Sequence, residues 1–213
     1  MLIVHHLGMS QSERIVWLCE ELAVPYELVR HERDRLTRLA PAAYKALHPQ
    51  GTAPVIVDDG RVLAESGAIV EYIIARHGGG RLTVAPTAPN YADYLYWLHF
   101  ANGSMMPNEL MRLVGSLLDP GLENPIMQIL VARSETAWAM IETRLGEVPY
   151  LAGPELTAAD IMNVFPLTTL RAIVPRDLGP CPHIRAYLQR IGARPAYRRA
   201  MAKGDPGMPL LLE

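Results

Sequence analysis

Apolar and polar positions change rhythm near residue 80. Before it, short runs alternate in type. Leu2-Ile3-Val4 is rich in strand formers and runs on to Gly8, whereas Ile15, Val16, Leu18, Cys19 and Leu22 recur at helical spacing from about Ser12 until Pro25. Tyr26-Glu27-Leu28-Val29 alternates as a half-buried strand does. Pro41 to Leu47 reads as a short helix, because proline suits a first helical position. Pro54-Val55-Ile56-Val57 and Arg61-Val62-Leu63-Ala64 flank Asp58-Asp59-Gly60, a strong hairpin signal. Ile69, Val70, Ile73 and Ile74 form the apolar face of one more helix, ended by Gly78-Gly79-Gly80. The predicted order over residues 1–80 is β-α-β-α-β-β-α.

Residues 81–89 carry Pro86 and Pro89 with little periodicity and read as a linker. From 90 to 213 the rhythm is helical throughout. Tyr91, Tyr94, Leu95, Leu98 and Met105 predict one long helix, and Ile126, Ile129, Leu130, Ala137, Met140 and Ile141 another. Thr157-Ala158-Ala159-Asp160 opens a further helix as a capping box, with Leu156 and Ile161 as its hydrophobic staple, and Pro166 should kink it. Shorter helices follow at about 182–192 and 195–203. The fold class is α+β, a mixed first domain followed by an all-helical one.

Composition narrows the function. Twenty Lys plus Arg against 22 Asp plus Glu give a net charge of -2, without the basic footprint of a nucleic-acid binder. Cys19 and Cys181 form neither a disulfide framework nor a metal motif. No apolar run approaches a membrane span, and Met1 to His6 lacks the pattern of a signal peptide, so a soluble cytoplasmic protein without metal is expected.

Three short motifs can carry chemistry. Ser10-Gln11-Ser12-Glu13 is a capping box by pattern, with Ser10 as N-cap; its hydroxyl can also donate to an anion held at a helix N-terminus. Ser12, inside the first helical turn, is the competing hydroxyl. Ser10 lacks the nucleophile-elbow context of an acyl-transfer serine. Thr52-Ala53-Pro54-Val55 opens a strand with proline; were the Ala53-Pro54 bond cis, the Ala53 backbone would be offered to a ligand lying as a short strand. Glu65-Ser66 at a helix start suits an α-amino acid head group, carboxylate to Ser66 and ammonium to Glu65.

Taken together, Ser10-Gln11-Ser12-Glu13-Arg14, His48-Pro49-Gln50-Gly51-Thr52-Ala53-Pro54, Glu65-Ser66-Gly67-Ala68-Ile69 and Leu156-Thr157-Ala158-Ala159-Asp160-Ile161, in this order and on this element pattern, resemble the cytosolic glutathione transferases. The resemblance covers essentially the whole chain. It implies a thioredoxin-like, glutathione-binding domain over 1–80 and a helical domain over 90–213 that forms most of the pocket for a small hydrophobic electrophile. It implies Ser10 facing the glutathione sulfur, Ala53 pairing with the cysteinyl unit beside a cis Pro54, Glu65 and Ser66 gripping the γ-glutamyl group, and Gln50 nearby. Gly51 and Gly67 stand where many relatives carry basic or histidine residues, which leaves the glycine-end carboxylate without an assigned partner. Glutathione is thus the expected co-substrate, in a homodimer. A glutathione-dependent peroxidase or disulfide reductase, or a non-catalytic binding module, are the competing readings. In the helical part, Asn102-Gly103-Ser104-Met105-Met106 interrupts a long helix; Asn102, Met106 and Glu109 are the candidate electrophile contacts, against the reading of Met106 as core filler.

Overall fold

The computed structural model describes residues 1–121 and 123–213. They divide into two compact units, one of residues 1–83 with 191–210, the other of 84–190 with 211–213. The expected helical domain of 90–213 is therefore not a single stretch. Its last helix belongs with the first unit.

In that first unit, β1 (Leu2–Leu7), α1 (Glu13–Leu22), β2 (Glu27–His31), α2 (Ala42–Lys45), β3 (Val55–Asp58), β4 (Arg61–Ala64) and α3 (Ser66–Arg76) follow the predicted order. The sheet runs β2-β1-β3-β4. β1 and β2 are parallel, joined through α1, while β3 is antiparallel to both β1 and β4. The β3–β4 hairpin closes through Asp59 and Gly60, both at positive φ (48° and 82°), the backbone that a two-residue primed turn demands. Side chains alternate across β1. Leu2, Val4 and His6 share one face; Leu7 lies on the other, in a cluster with Tyr44 of α2, Val55 and Ala64.

α1 is almost wholly buried. α9 (Pro195–Gly204) packs along it, with Trp17 and Tyr197 edge to face at 5.0 Å. Glu21 holds Arg194 at 2.7 Å, and Glu20 accepts from Arg199 and Lys203. These contacts explain why a helix from the far end of the chain completes the first unit.

The second unit holds α4 (Tyr91–Phe100), α5 (Met106–Leu118), α6 (Pro125–Glu147), α7 (Ala158–Leu167) and most of α8 (Pro182–Gly192). The predicted long helix does run from α4 into α5, but Ala101–Met105 between them is a π-helical segment, so Gly103 sits in a widened turn. The capping box at Thr157 and Asp160 is present. Pro166 does not kink a longer helix: α7 stops one residue later, at Leu167, and a short 3-10 turn over Thr169–Ala172 follows.

Candidate active site

One end of the sheet gathers all three motifs. Leu7 ends β1, Val55 begins β3 opposite His5, and Ala64 ends β4 opposite Val55. The segments continuing from these residues, 8–12, 53–54 and 65–66, therefore leave the sheet at the same edge. The peptide bond between Ala53 and Pro54 is cis, the alternative that the sequence left open.

Glu65 takes φ 71° and ψ 115°, a backbone conformation that a non-glycine residue holds only when its surroundings impose it. Strain of this kind clusters where a side chain must be aimed. Here Gln50 Nε2 donates to Glu65 Oε1 at 2.6 Å, so the loop before the cis bond fixes the carboxylate. Glu65 rather than Ser66 precedes the first turn of α3.

Ser66 is buried and accepts a hydrogen bond at 3.2 Å from Arg14, which also donates to Gln11. Arg14 is 1% exposed. Burial lowers its pKa to about 9, with Glu13 pulling the other way, so it stays cationic at neutral pH. A buried cation at the foot of Ser66 raises the local positive potential at the start of α3, where an anionic group is already favoured. Arg14 has no role assigned by its motif. Its spacing to Leu18 and Leu22 on one helical face was the available signal that it points inward.

The turn at Ser10 departs from the capping box expected there. The N-cap of α1 is Ser12, and its side chain caps nothing. Instead Ser12 Oγ accepts from Leu7 N–H at 3.1 Å and lies 2.9 Å from His6 Nδ1 and 2.7 Å from Ser10 Oγ. Ser10 Oγ in turn accepts from the Ser12 N–H at 3.2 Å and can donate to Leu7 O at 2.7 Å. Ser12 is fully buried (0%), and Ser10 at 6% is the one of the two with a surface.

Beside Gly8 and Met9 lies a cavity of about 410 Å³, lined among others by Arg33, Arg35, Arg38 and Asp205. Arg33 donates to Gly8 O and Met9 O, holding the chain that carries Ser10.

This edge can hold an amino-acid head group at Glu65 and Ser66, pair with an extended ligand at Ala53, and present a hydroxyl at Ser10. Residues 8–76 match the family model of the glutathione S-transferase N-terminal domain, and 126–195 that of the C-terminal domain. Glutathione S-transferase 3 of Schizosaccharomyces pombe is 33% identical over 95% of this chain and 88% of its own. The chain belongs to the glutathione S-transferase family. Glutathione S-transferase 1 of Saccharomyces cerevisiae is 27% identical, covering 94% of each chain. The crystal structure of a glutathione S-transferase from Actinobacillus pleuropneumoniae superposes with a TM-score of 0.87 at 34% identity, over 96% of this chain and 93% of that one.

In this transferase the three candidates from the helical unit do not stand alike. Asn102 is half-buried in the π-helical segment. Met106 is in a core cluster with Phe165, Leu170 and Val174, so the core-filler reading describes it. Glu109 is 1% exposed; Ser134 and Trp138 Nε1 donate to its Oε1, and Arg112 lies 3.5 Å from its Oε2. That carboxylate is committed to α5–α6 packing. Met106, Glu109 and Leu113 share one helical face, which already pointed inward. Among the described residues no cluster of three or more His, Cys, Asp or Glu is placed to hold a metal. No described helix is long and apolar enough to cross a membrane.

Proposed function

We propose that the protein conjugates the thiol of glutathione to a small hydrophobic electrophile, with Ser10 as the hydroxyl that hydrogen-bonds the sulfur. The observation that carries this is the common sheet edge of Ser10, the cis Ala53-Pro54 bond and the strained Glu65 with Ser66. On this reading Glu65 and Ser66 take the γ-glutamyl group, Gln50 steadies Glu65, and Ala53 pairs with the cysteinyl backbone beside Pro54. The arginine-lined cavity next to Met9 offers the glycine-end carboxylate the cationic partner that Gly51 and Gly67 lack. Asn102 is the contact to the electrophile. The working form is a cytoplasmic homodimer.

The energy asked of Ser10 is modest. A thiol of pKa about 8.5 is only about 3% thiolate at pH 7. Moving it to about 6.5 requires about 2.7 kcal/mol of differential stabilisation. One charge-assisted hydrogen bond of about 1.5–3 kcal/mol, with up to about 1 kcal/mol from the helix terminus, covers that.

A redox reading built on an enzyme thiol is less well supported. Cys19 is buried in α1, and burial pushes its thiol up to about 12. The deciding experiment compares glutathione-dependent turnover of a chlorinated aromatic electrophile with reduction of a peroxide and of a mixed disulfide. Conjugation dominant over both reductions is expected; no conjugation, with reduction intact, would replace this reading by the redox one.

A further inference from the structure

The Ser10 hydroxyl is the outer end of a hydrogen-bonded chain that the conjugation chemistry described above does not use. Ser10 Oγ lies 2.7 Å from Ser12 Oγ, Ser12 Oγ lies 2.9 Å from His6 Nδ1, and His6 Nε2 lies 3.1 Å from Asp205 Oδ2. The second oxygen of Asp205 accepts from Met9 N–H at 3.0 Å, which fixes the carboxylate. His6 is wholly buried on β1, with its ring against Gly204, the last residue of α9. The chain folds around this pair with glycine on both sides. A Cβ on Gly204 would sit 3.2 Å from the His6 ring, and one on Gly8 would sit 3.2 Å from Asp205 Oδ1.

Proton positions follow from the partners. A carboxylate at Nε2 requires the proton on that nitrogen, so neutral His6 presents a lone pair at Nδ1. Ser12 then donates to Nδ1, and Ser10 can donate to Ser12. Ser10 is left with a lone pair for an incoming S–H.

We propose that His6, held by Asp205, is the acceptor of the glutathione thiol proton, which reaches it by a relay through Ser10 and Ser12. The inference rests on Ser10 facing the sulfur. As the S–H bond breaks, its electron pair stays on sulfur and its proton goes to Ser10 Oγ. Ser10 passes its own proton to Ser12 Oγ, and Ser12 passes its own to His6 Nδ1. The products are a thiolate hydrogen-bonded by Ser10 and an imidazolium beside the Asp205 carboxylate. Ser10 thereby turns from acceptor to donor at the moment the sulfur becomes anionic, which is when a donor is worth most.

Asp205 is held as the carboxylate that pairs with His6. Burial acts against ionised Asp205, yet the hydrogen bond and charge of His6 and the Met9 N–H keep its carboxyl below the ordinary range, with help from Arg30. His31 on β2 is a titratable neighbour whose own positive charge is disfavoured beside His6, and Arg33 is a further cation close to Asp205. Asp205 also lines the 410 Å³ cavity, which gives a proton held at His6 an outlet separate from Ser10.

The test measures, for the full-length protein, the bound-thiolate ultraviolet absorbance against pH and the protons released on glutathione binding, by calorimetry in buffers of different ionisation enthalpy. Wild type is expected to form thiolate at pH 6.5 with well under one proton released per site. Asp205→Asn keeps the shape of the pair and serves alongside His6→Gln, with melting curves to show that each is folded. In both, thiolate should form only at higher pH and with about one proton released per thiolate, and kcat at pH 6.5 should fall at least tenfold while KM for glutathione changes little. Full proton release by wild type, or pH profiles unchanged in a folded Asp205→Asn, would overturn the relay. Ser10→Ala separates the two levels. If it leaves the thiolate signal intact, the assignment of Ser10 itself fails. If it abolishes the signal while Asp205→Asn and His6→Gln do not, only the relay fails.

Discussion

Two helix starts in this protein carry nearly the same sequence signature and use it in opposite ways. Thr157-Ala158-Ala159-Asp160 and Ser10-Gln11-Ser12-Glu13 both place a hydroxyl three residues before a carboxylate. At α7 the pattern closes on itself: Thr157 Oγ1 accepts from Ala159 N–H, and Asp160 accepts from Thr157 N–H. Asp160 accepts further from Leu151 N–H and the Tyr187 hydroxyl, so the cap becomes a node of the helical unit. At α1 the frame is shifted by two residues. Ser12 takes the cap position and directs its hydroxyl toward Leu7, Ser10 and His6 instead. At α7 the donor and acceptor capacity of both cap side chains is spent inside the helical unit. At α1 that capacity is kept.

The comparison breaks first, and hardest, at Asp160. Asp160→Ala removes the partner of buried donors from Leu151, Thr157 and Tyr187, and should cost roughly 2–5 kcal/mol of stability. Urea denaturation checks it; a loss below about 1 kcal/mol would mean that the node does not hold the unit. Turnover per folded molecule should stay near wild type.

Asp160 also predicts a pH dependence. Burial pushes its carboxyl up to about 6, with the four donated hydrogen bonds opposing, whereas in the unfolded chain it titrates near 4. The folded state therefore binds more protons between these values, and its stability falls as pH rises through about 4 to 6. The contribution is fully present below about 4 and lost above about 6, at most about 3 kcal/mol. Subtracting the stability curve of Asp160→Asn, which does not titrate, isolates it; a flat difference across that window refutes the assignment.

Ser10→Ala should show the inverse pattern, lowering kcat about 10- to 100-fold for loss of one charge-assisted hydrogen bond, with a stability change of only about 1 kcal/mol. Parallel steady-state kinetics and melts on Ser10→Ala and Thr157→Ala sharpen the contrast: one should lose turnover and the other stability. The smallest effect is expected from Gln50→Ala, which frees the Glu65 carboxylate without removing it. KM for glutathione should rise about threefold to tenfold with kcat unchanged, from loss of a hydrogen bond of about 0.5–1.5 kcal/mol.

Local chemistry made much of this readable. Asp59-Gly60 determines its hairpin because few other residues accept that backbone, and the period of Ile69, Val70, Ile73 and Ile74 permits only one buried face. The capping pattern was ambiguous for a physical reason: the same atoms satisfy a helix or a neighbour, and the neighbour is fixed by tertiary structure. His6 illustrates the limit. Nothing adjacent to it in sequence marks it, because its partner Asp205 lies 199 positions away. Glu109 shows the same limit, since its partners Ser134 and Trp138 come from another helix.

The return of residues 191–210 to the first unit has a consequence for synthesis. A nascent chain leaves the ribosome N-terminus first, at about 5–20 residues per second, and domains generally fold as they emerge. Here the sheet and α1 emerge early, but Tyr197, Arg199 and Arg194, the partners of Trp17, Glu20 and Glu21, come out more than 170 residues later. The side of α1 that meets α9 must wait uncovered for that interval. Slow codons or a pause between the two segments would lengthen the wait, and a chaperone that recognises exposed helix faces would find its substrate then.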